Sequence, residues 1–141
     1  MSEPDYTPWM ESDIEIELFD SIATAINSDY PACKVTNTYT RTAPGFPCVM
    51  LYEADNFSGG MDGSNHEIAS NVMYEAQVFS AKEGDSKSEA VEIMQLVNRL
   101  MTMAGFRRTS QTPAENLEDA TVFRLVARYV ASVQNNTIYR R

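Results

Sequence analysis

The segment that most constrains the fold is Ser86–Gly105, whose pattern predicts an α-helix with both ends marked. It begins with the S-x-x-E form, in which the hydroxyl of Ser86 and the carboxylate of Glu89 would each bind a backbone amide of the other residue. Gly105 suits the left-handed position that follows a helix. Apolar residues recur at intervals of three and four, forming one stripe: Ala90, Ile93, Met94, Val97, Leu100, Met101 and Ala104. This stripe has to be buried, and the strands predicted on either side of the helix are its natural partner.

A first helix is predicted over Ser12–Ser28, where Ser12 and Glu15 repeat the S-x-x-E form. Its apolar stripe contains Ile14, Leu18, Ile22, Ala25 and Ile26, with Phe19 beside it. Its first turns are acidic at Glu11, Asp13, Glu15 and Glu17, where the helix dipole favours negative charge, so these acids need no chemical role. Residues 1–11 lack such a stripe and are predicted to be a flexible arm. Trp9 in this arm either packs on its own domain or anchors on a neighbouring subunit.

Five strands are predicted where β-branched and aromatic residues cluster or where polar and apolar residues alternate. Their ranges are 32–39, 46–54, 66–80, 106–111 and 119–134, the last being the longest. In 66–80, one face carries Val72, Tyr74, Ala76 and Val78, and the other carries Met73, Glu75, Gln77 and Phe79. In 119–134, Phe123, Leu125, Ala127, Tyr129 and Ala131 alternate with a second face that carries Arg124 and Arg128. These arginines pair either with acids of neighbouring strands, such as Glu53 and Glu75, or with the acidic side of a partner.

A polar loop is predicted over Asp55–Asn65, which contains Gly59, Gly60 and Gly63. The loop has neither a phosphate-binding glycine motif nor the ligand spacing of a calcium loop. We therefore expect it to be a mobile segment or an assembly contact rather than a catalytic site.

The predicted order of elements is α-β-β-β-α-β-β, within one domain over residues 12–134 that is followed by a C-terminal tail over 135–141. Short links between strands favour antiparallel pairing, and both apolar stripes can be buried on the same side of a sheet. The sequence thus predicts an α+β fold, with a single mostly antiparallel sheet of about five strands and two helices packed on one face.

Charge and composition narrow the functional classes. The net charge of −9 argues against binding to nucleic acid through its phosphates. Residues 1–75 carry 13 acidic and 2 basic side chains, whereas residues 76–141 carry 7 acidic and 9 basic ones. This asymmetry reflects either ordinary solvation or a subunit with an acidic side and a more basic side, suited to head-to-tail contact between copies.

The sequence predicts no catalytic, cofactor or metal site. Cys33 and Cys48 are expected to be free thiols, and they form no zinc-binding pattern with His66, the single histidine. No nucleophile is accompanied by a base, and no cofactor loop is present, so the chain is predicted not to be an enzyme. The sequence also lacks a signal peptide pattern and an apolar run of about 20 residues, which predicts a cytoplasmic protein.

The whole pattern resembles the tail terminator (tail completion, head-tail joining) proteins of long-tailed bacteriophages, over residues 12–141. The resemblance rests on the acidic first helix, the order of elements and five short stretches: Phe46-Pro47-Cys48, Glu53-Ala54-Asp55-Asn56, Val72-Met73-Tyr74-Glu75, Ala104-Gly105-Phe106-Arg107-Arg108 and Arg124-Leu125-Val126-Ala127-Arg128-Tyr129. It implies a small α+β subunit that forms a six-fold ring, caps the tail tube, stops its polymerisation and offers the surface that joins the head.

The implied partners are further copies of the chain, the major tail tube protein and a head-closure or neck protein. DNA would pass through the lumen of the ring without specific binding, and no cofactor or membrane is involved. The implied location is the tail-neck junction of the virion, after assembly in the host cytoplasm. Another neck component, such as a head-closure or connector protein, stays open as an alternative, as do a small cytoplasmic binding protein and a small enzyme using scattered carboxylates.

Candidate subunit-interface residues come from the charged segments, the glycine-rich loop and the two termini. They are Trp9, Glu15, Glu17, Gly59, Gly60, Asp62, Arg107, Arg108, Arg124, Arg128, Tyr139 and Arg140.

Overall fold

The structure, a computed structural model, describes residues 9–61, 67–114, 121–134 and 137–139. Its elements in chain order are α1 (Trp9–Asp29), β1 (Lys34–Thr36), β2 (Cys48–Met61), β3 (Glu67–Ser80), α2 (Ser86–Met103), β4 (Arg107–Ala114), β5 (Phe123–Gln134) and β6 (Thr137–Tyr139). The predicted order of elements is confirmed, with the short β6 added after the last predicted strand.

All the strands belong to one sheet, in the spatial order β1-β2-β3-β5-β4, with β6 beside the end of β5. Neighbouring strands are antiparallel except β1 and β2, which are parallel. A parallel pair requires a connection that returns along the sheet, and residues 37–47 provide it. The predicted α+β class with a single, mostly antiparallel sheet is therefore confirmed.

Both helices cover the same face of the sheet, which we call the helix-covered face. α1 packs on β1 and β2, whereas α2 packs on β3, β4 and β5. The predicted stripe of α2 and the predicted apolar faces of β3 and β5 meet in one core, which includes Ile22, Ile26, Val72, Tyr74, Ala76, Val78, Ile93, Met94, Val97, Leu125, Ala127 and Tyr129. The opposite side of the sheet is called the open face below.

The ends of α2 show one confirmed prediction and one wrong one. Gly105 has a φ of 103°, the left-handed conformation expected after the helix. The capping box predicted between Ser86 and Glu89 is wrong, because Asp85 is the N-cap and Glu89 lies one residue too far into the helix. The carboxylate of Glu89 instead accepts a hydrogen bond from the buried hydroxyl of Ser80, at 2.5 Å.

The loop predicted over Asp55–Asn65 is wrong for its first half, because β2 continues to Met61 and β3 begins at Glu67. The pairing of β2 with β3 shifts register between Glu53 and Asp55 and again on either side of Gly60. Such β-bulges absorb extra residues within a strand, so a polar stretch with glycines still pairs through its backbone. Residues 62–66 lie outside the described part of the chain.

The predicted boundaries also change at both ends of the domain. α1 begins at Trp9, so Trp9–Glu11 are helical rather than part of a flexible arm, and Ser12 lies inside the helix instead of capping it. β6 lies within the predicted C-terminal tail and pairs with Ser132–Gln134. β5 has 12 residues and is shorter than β2 and β3, which have 14 each. Residues 1–8, 115–120, 135–136 and 140–141 lie outside the described residues.

Two shorter predicted strands also have different limits. The strand predicted over 32–39 contains only the three residues of β1. The strand predicted over 106–111 extends through Pro113 to Ala114, because β4 lies at the edge of the sheet, where a proline is tolerated.

Candidate functional site

The open face carries polar side chains that the strand register brings into adjacent rows. Tyr52 of β2 pairs with Glu75 of β3, which in turn pairs with Arg128 of β5. The next row contains Gln77, and the row after it contains Arg124. Because directly paired residues point to the same side of a sheet, alternate positions of three strands converge on one surface.

These five side chains form a continuous hydrogen-bond network, which we call the open-face network. Glu75 accepts hydrogen bonds from the hydroxyl of Tyr52 and from Nε of Arg128, the latter at 3.1 Å. Gln77 donates from Nε2 to the Tyr52 hydroxyl oxygen at 2.6 Å, and its Oε1 accepts from Nε of Arg124 at 2.9 Å. Gln77 is only 2% exposed, and both ends of its amide are satisfied, as a buried polar group requires.

Apolar groups enclose one side of the open-face network. Cys48, Met50, Phe79 and Val122 form a second buried cluster on this face, with Ala43 packed against it. The guanidinium carbon of Arg124 lies 5.8 Å from the centre of the Phe79 ring, within the range of a cation–π contact. The β1–β2 connection reaches this region through Tyr39, whose ring meets the ring of Tyr52 edge-on at 6.1 Å.

The hydrogen bonds of the open-face network join β2, β3 and β5. Burial raises the pKa of Tyr52, and its hydrogen bond to Glu75 raises it further, so the hydroxyl stays protonated as a donor at neutral pH. Both carboxylate oxygens of Glu75 accept hydrogen bonds, one from Tyr52 and one from Arg128. The cross-strand pairing that was one of two explanations for Arg128 is confirmed, as an ion pair with Glu75. Arg124 bonds to Gln77 in the neighbouring strand.

Two further candidate arginines lie at the outer margin of the sheet, in β4. Arg107 and Arg108 are both exposed. Arg107 pairs with Val130 and thus lies toward the open face, whereas Arg108 pairs with the core residue Tyr129 and lies toward the helix-covered face. Arg108 donates to Oε1 of Gln111 at 2.8 Å. The four candidate arginines that the structure describes are therefore divided between the open-face network and the β4 margin.

The other candidate residues are distributed over several elements. Glu17 is exposed on α1, and Trp9 and Glu15 lie in the first turns of the same helix. Gly59 and Gly60 belong to β2, and Tyr139 belongs to β6. Asp62 and Arg140 lie outside the described residues.

The helix at one margin of the sheet is acidic, and the strand at the opposite margin is basic. α1 lies over β1 and β2 and exposes the carboxylates of Glu17 and Asp20, while β1 itself exposes Lys34. At the other margin, β4 exposes Arg107 and Arg108. The charge asymmetry seen along the sequence is thus also an asymmetry across the folded subunit.

The two cysteines lie on opposite sides of the sheet. Cys33 belongs to the core under the helices, and Cys48 belongs to the second cluster on the open face. Burial raises the pKa of Cys33 to about 12 and that of Cys48 to about 11, so both are protonated and weakly nucleophilic at neutral pH. His66, the remaining residue considered for metal binding, lies outside the described residues.

Sequence reasoning missed the central positions of Gln77 and Tyr52 in the open-face network. The alternation of β3 placed Glu75 and Gln77 on one mixed face, which was the available signal. It did not specify that β2 and β5 would flank β3, and only that pairing brings Tyr52 and Arg124 to Gln77.

Searches against known protein families and against characterised proteins found no match for this chain. In the described part of the chain, neither helix has the length and apolar character needed to cross a membrane. Among the same residues, no three His, Cys, Asp or Glu side chains are grouped closely enough to hold a metal ion. The fold and the site define a small α+β domain with one helix-covered face, one face held by a polar network and two oppositely charged margins.

Proposed function

We propose that this chain is a structural subunit of a bacteriophage tail, a tail terminator that forms a ring on the end of the tail tube. In this role the ring stops polymerisation of the tube and provides the surface that joins the head. Two findings support the proposal: the resemblance of the sequence to this family, and an α+β fold of the kind that the resemblance implies.

The observation that carries the proposal is the opposite charge of the two sheet margins. A contact between the acidic α1 margin of one subunit and the basic β4 margin of the next is heterologous, and it closes into a ring if the rotation between subunits divides a full turn. Exposed ion pairs contribute only about 0.2–1 kcal/mol each and are screened by salt. Charge would therefore set the orientation of subunits, and apolar contacts would supply most of the affinity.

The described surface offers a few large apolar groups for such contacts. Tyr39 is 49% exposed, Phe46 is 43% exposed and Met103 is 60% exposed. Tyr39 and Phe46 lie in the β1–β2 connection, at the same margin as α1. Aromatic residues at such positions are typical energetic centres of protein interfaces.

The charge of the chain also fits the passage of DNA through the ring. A net charge of −9 per subunit would repel phosphates on average, so DNA would move through the lumen without being held. The engagement of both Glu75 oxygens in hydrogen bonds is consistent with a structural rather than a catalytic open face.

The test is the mass of the protein in solution, measured by sedimentation velocity over a range of concentrations with and without purified tail tubes. We expect a species about six times the mass of the monomer, and tubes that no longer elongate once it is bound. A ring that binds only head connectors would favour another neck component. A protein that stays monomeric at high concentration and in the presence of tubes would refute the proposal.

A further inference from the structure

We propose that the outer edge of β4 forms backbone hydrogen bonds with a second copy of this chain, so that the sheet continues from one subunit into the next. This inference rests on the proposed self-assembly and names the surface that carries it. Addition of a strand to an exposed sheet edge is a common mode of protein recognition.

β4 is exposed along almost its whole length. Among the described strands it pairs only with β5, and every side chain from Arg107 to Pro113 is exposed. An edge strand of this kind presents N–H and C=O groups that have no partner within the sheet. β4 is therefore available to a further strand.

The proline in β4 indicates which backbone groups point outward. Pro113 has no N–H, and within a sheet a proline is accommodated where this position faces away from the neighbouring strand. The register with β5 is unbroken from Ser110 to Ala114, and backbone direction alternates along a strand, so Gln111 points outward as well. The outer edge thus offers the N–H and C=O of Gln111 and the C=O of Pro113.

The length of the available edge is limited, which favours a single register. The pairing of β4 with β5 shifts between Arg108 and Ser110, and the hydroxyl of Thr109 bonds to the carbonyl of Arg128 at 3.3 Å. A bulge on one side and a proline on the other leave a short segment centred on Gln111. Such features also protect edge strands from indiscriminate pairing.

A second copy of the chain fits this edge because its opposite margin has the complementary charge. Arg107 and Arg108 directly precede the edge segment, and α1 at the far margin exposes Glu17 and Asp20. The sheet also ends there in the short strand β1, which has three residues. Head-to-tail placement brings acidic and basic margins together and sets a sheet edge beside the outer edge of β4.

The test compares Gln111→Pro with Gln111→Ala in the full-length protein. Both variants lose the side-chain contact with Arg108, but only proline removes the outward N–H and adds a ring on the side of the incoming strand. We expect Gln111→Ala to associate like the wild type and Gln111→Pro to associate at least about tenfold more weakly, because a lost hydrogen bond and a steric clash add together. Sedimentation velocity measures association, and circular dichroism checks the fold.

Hydrogen exchange of the wild-type protein gives a second measurement that does not depend on a variant. We expect the amide of Gln111 to exchange quickly in the monomer and to be protected in the assembled form. Rings that form normally from Gln111→Pro, or an amide that exchanges equally in both forms, would overturn the inference while leaving the ring intact. Failure of the wild type to assemble would overturn both the ring and this edge contact.

Discussion

The two faces of the sheet are built from alternate residues of the same strands but are stabilised differently. On the helix-covered face, β3 contributes the buried side chains of Tyr74, Ala76 and Val78, which pack against the helices. On the open face, the same strand contributes Glu75 and Gln77, which are held by hydrogen bonds from three other residues. The first face depends on filling volume with apolar groups, and the second depends on matching donors to acceptors.

The contrast extends to two tyrosines, one partly buried and one fully buried. Tyr52 on the open face donates to Glu75 and accepts from Gln77. Tyr129 on the helix-covered face is fully buried, and the contact described for its hydroxyl is with the sulfur of Met94 at 4.0 Å. Burial raises the pKa of Tyr129 to about 12. The ring of Tyr129 is therefore held by packing, whereas Tyr52 is held by hydrogen bonds to its hydroxyl.

The largest effect is expected from a charge on the helix-covered face. Ile93→Asp or Val97→Asp should unfold the domain, because both side chains are fully buried and an unpaired carboxylate there costs as much as the total stability of a typical domain, about 5–15 kcal/mol. Gln95→Asp is the matched control on the exposed side of α2. A melting temperature in either core variant equal to that of the parent would contradict the assignment of the stripe.

A smaller loss is expected when the open-face network is broken at its centre. Gln77→Leu keeps a similar volume but removes the acceptor of Arg124 and the donor to Tyr52. We expect a loss of about 2–3 kcal/mol in the free energy of unfolding, because one hydrogen bond to Tyr52 and one to the charged Arg124 are both removed. Thr112→Val, on the exposed β4 strand of the same row, is the control. Urea unfolding measures both variants, and equal stability would mean that this network contributes little.

Charge reversals separate the arginines of the open-face network from those of the β4 margin. Arg128→Glu should lower the free energy of unfolding by roughly 1–2 kcal/mol, because it places two carboxylates opposite each other while Arg128 itself is about half exposed. The double change Arg107→Glu and Arg108→Glu should leave the melting curve nearly unchanged and weaken self-association. If Arg128→Glu instead weakened self-association without changing the melting curve, and the double change lowered stability, the assembly surface would lie on the open face.

The smallest effect is expected at the hydroxyl of Tyr129. Tyr129→Phe should be neutral or stabilise the domain by up to about 1 kcal/mol, because a buried hydroxyl with a weak sulfur acceptor gains little from folding. Tyr52→Phe is the comparison, since it removes a hydroxyl with two strong partners and should be destabilising. Urea unfolding measures both variants. If Tyr129→Phe lowers the free energy of unfolding as much as Tyr52→Phe does, the hydroxyl of Tyr129 contributes to stability and the contrast between the two tyrosines is wrong.

The sequence was sufficient to predict the helix-covered face, because the apolar residues that form this face recur at regular intervals along the chain. The stripe of α2 and the alternation of β3 and β5 follow from spacing alone, and all three were confirmed. The open-face network was only partly predictable, because Gln77 meets Tyr52 and Arg124 through the order of strands, which is a long-range property. The far end of β2 was missed because Gly59 and Gly60 are typical of loops, whereas Ser58 and Gly60 pair with β3 on either side of a register shift at Gly59.

The register shift between Glu53 and Asp55 divides β2 into two parts of opposite parity. Before it, the odd-numbered Val49 and Leu51 pair with core residues of β3, whereas after it the even-numbered Asn56 pairs with the core residue Val72. Ala54 is the extra residue of this bulge, so its loss would give β2 a single parity while Asp55 stayed opposite Met73 and Asn56 opposite Val72. A one-residue gap at this point in an alignment therefore removes the bulge and leaves the pairing of the second part of β2 with β3 unchanged.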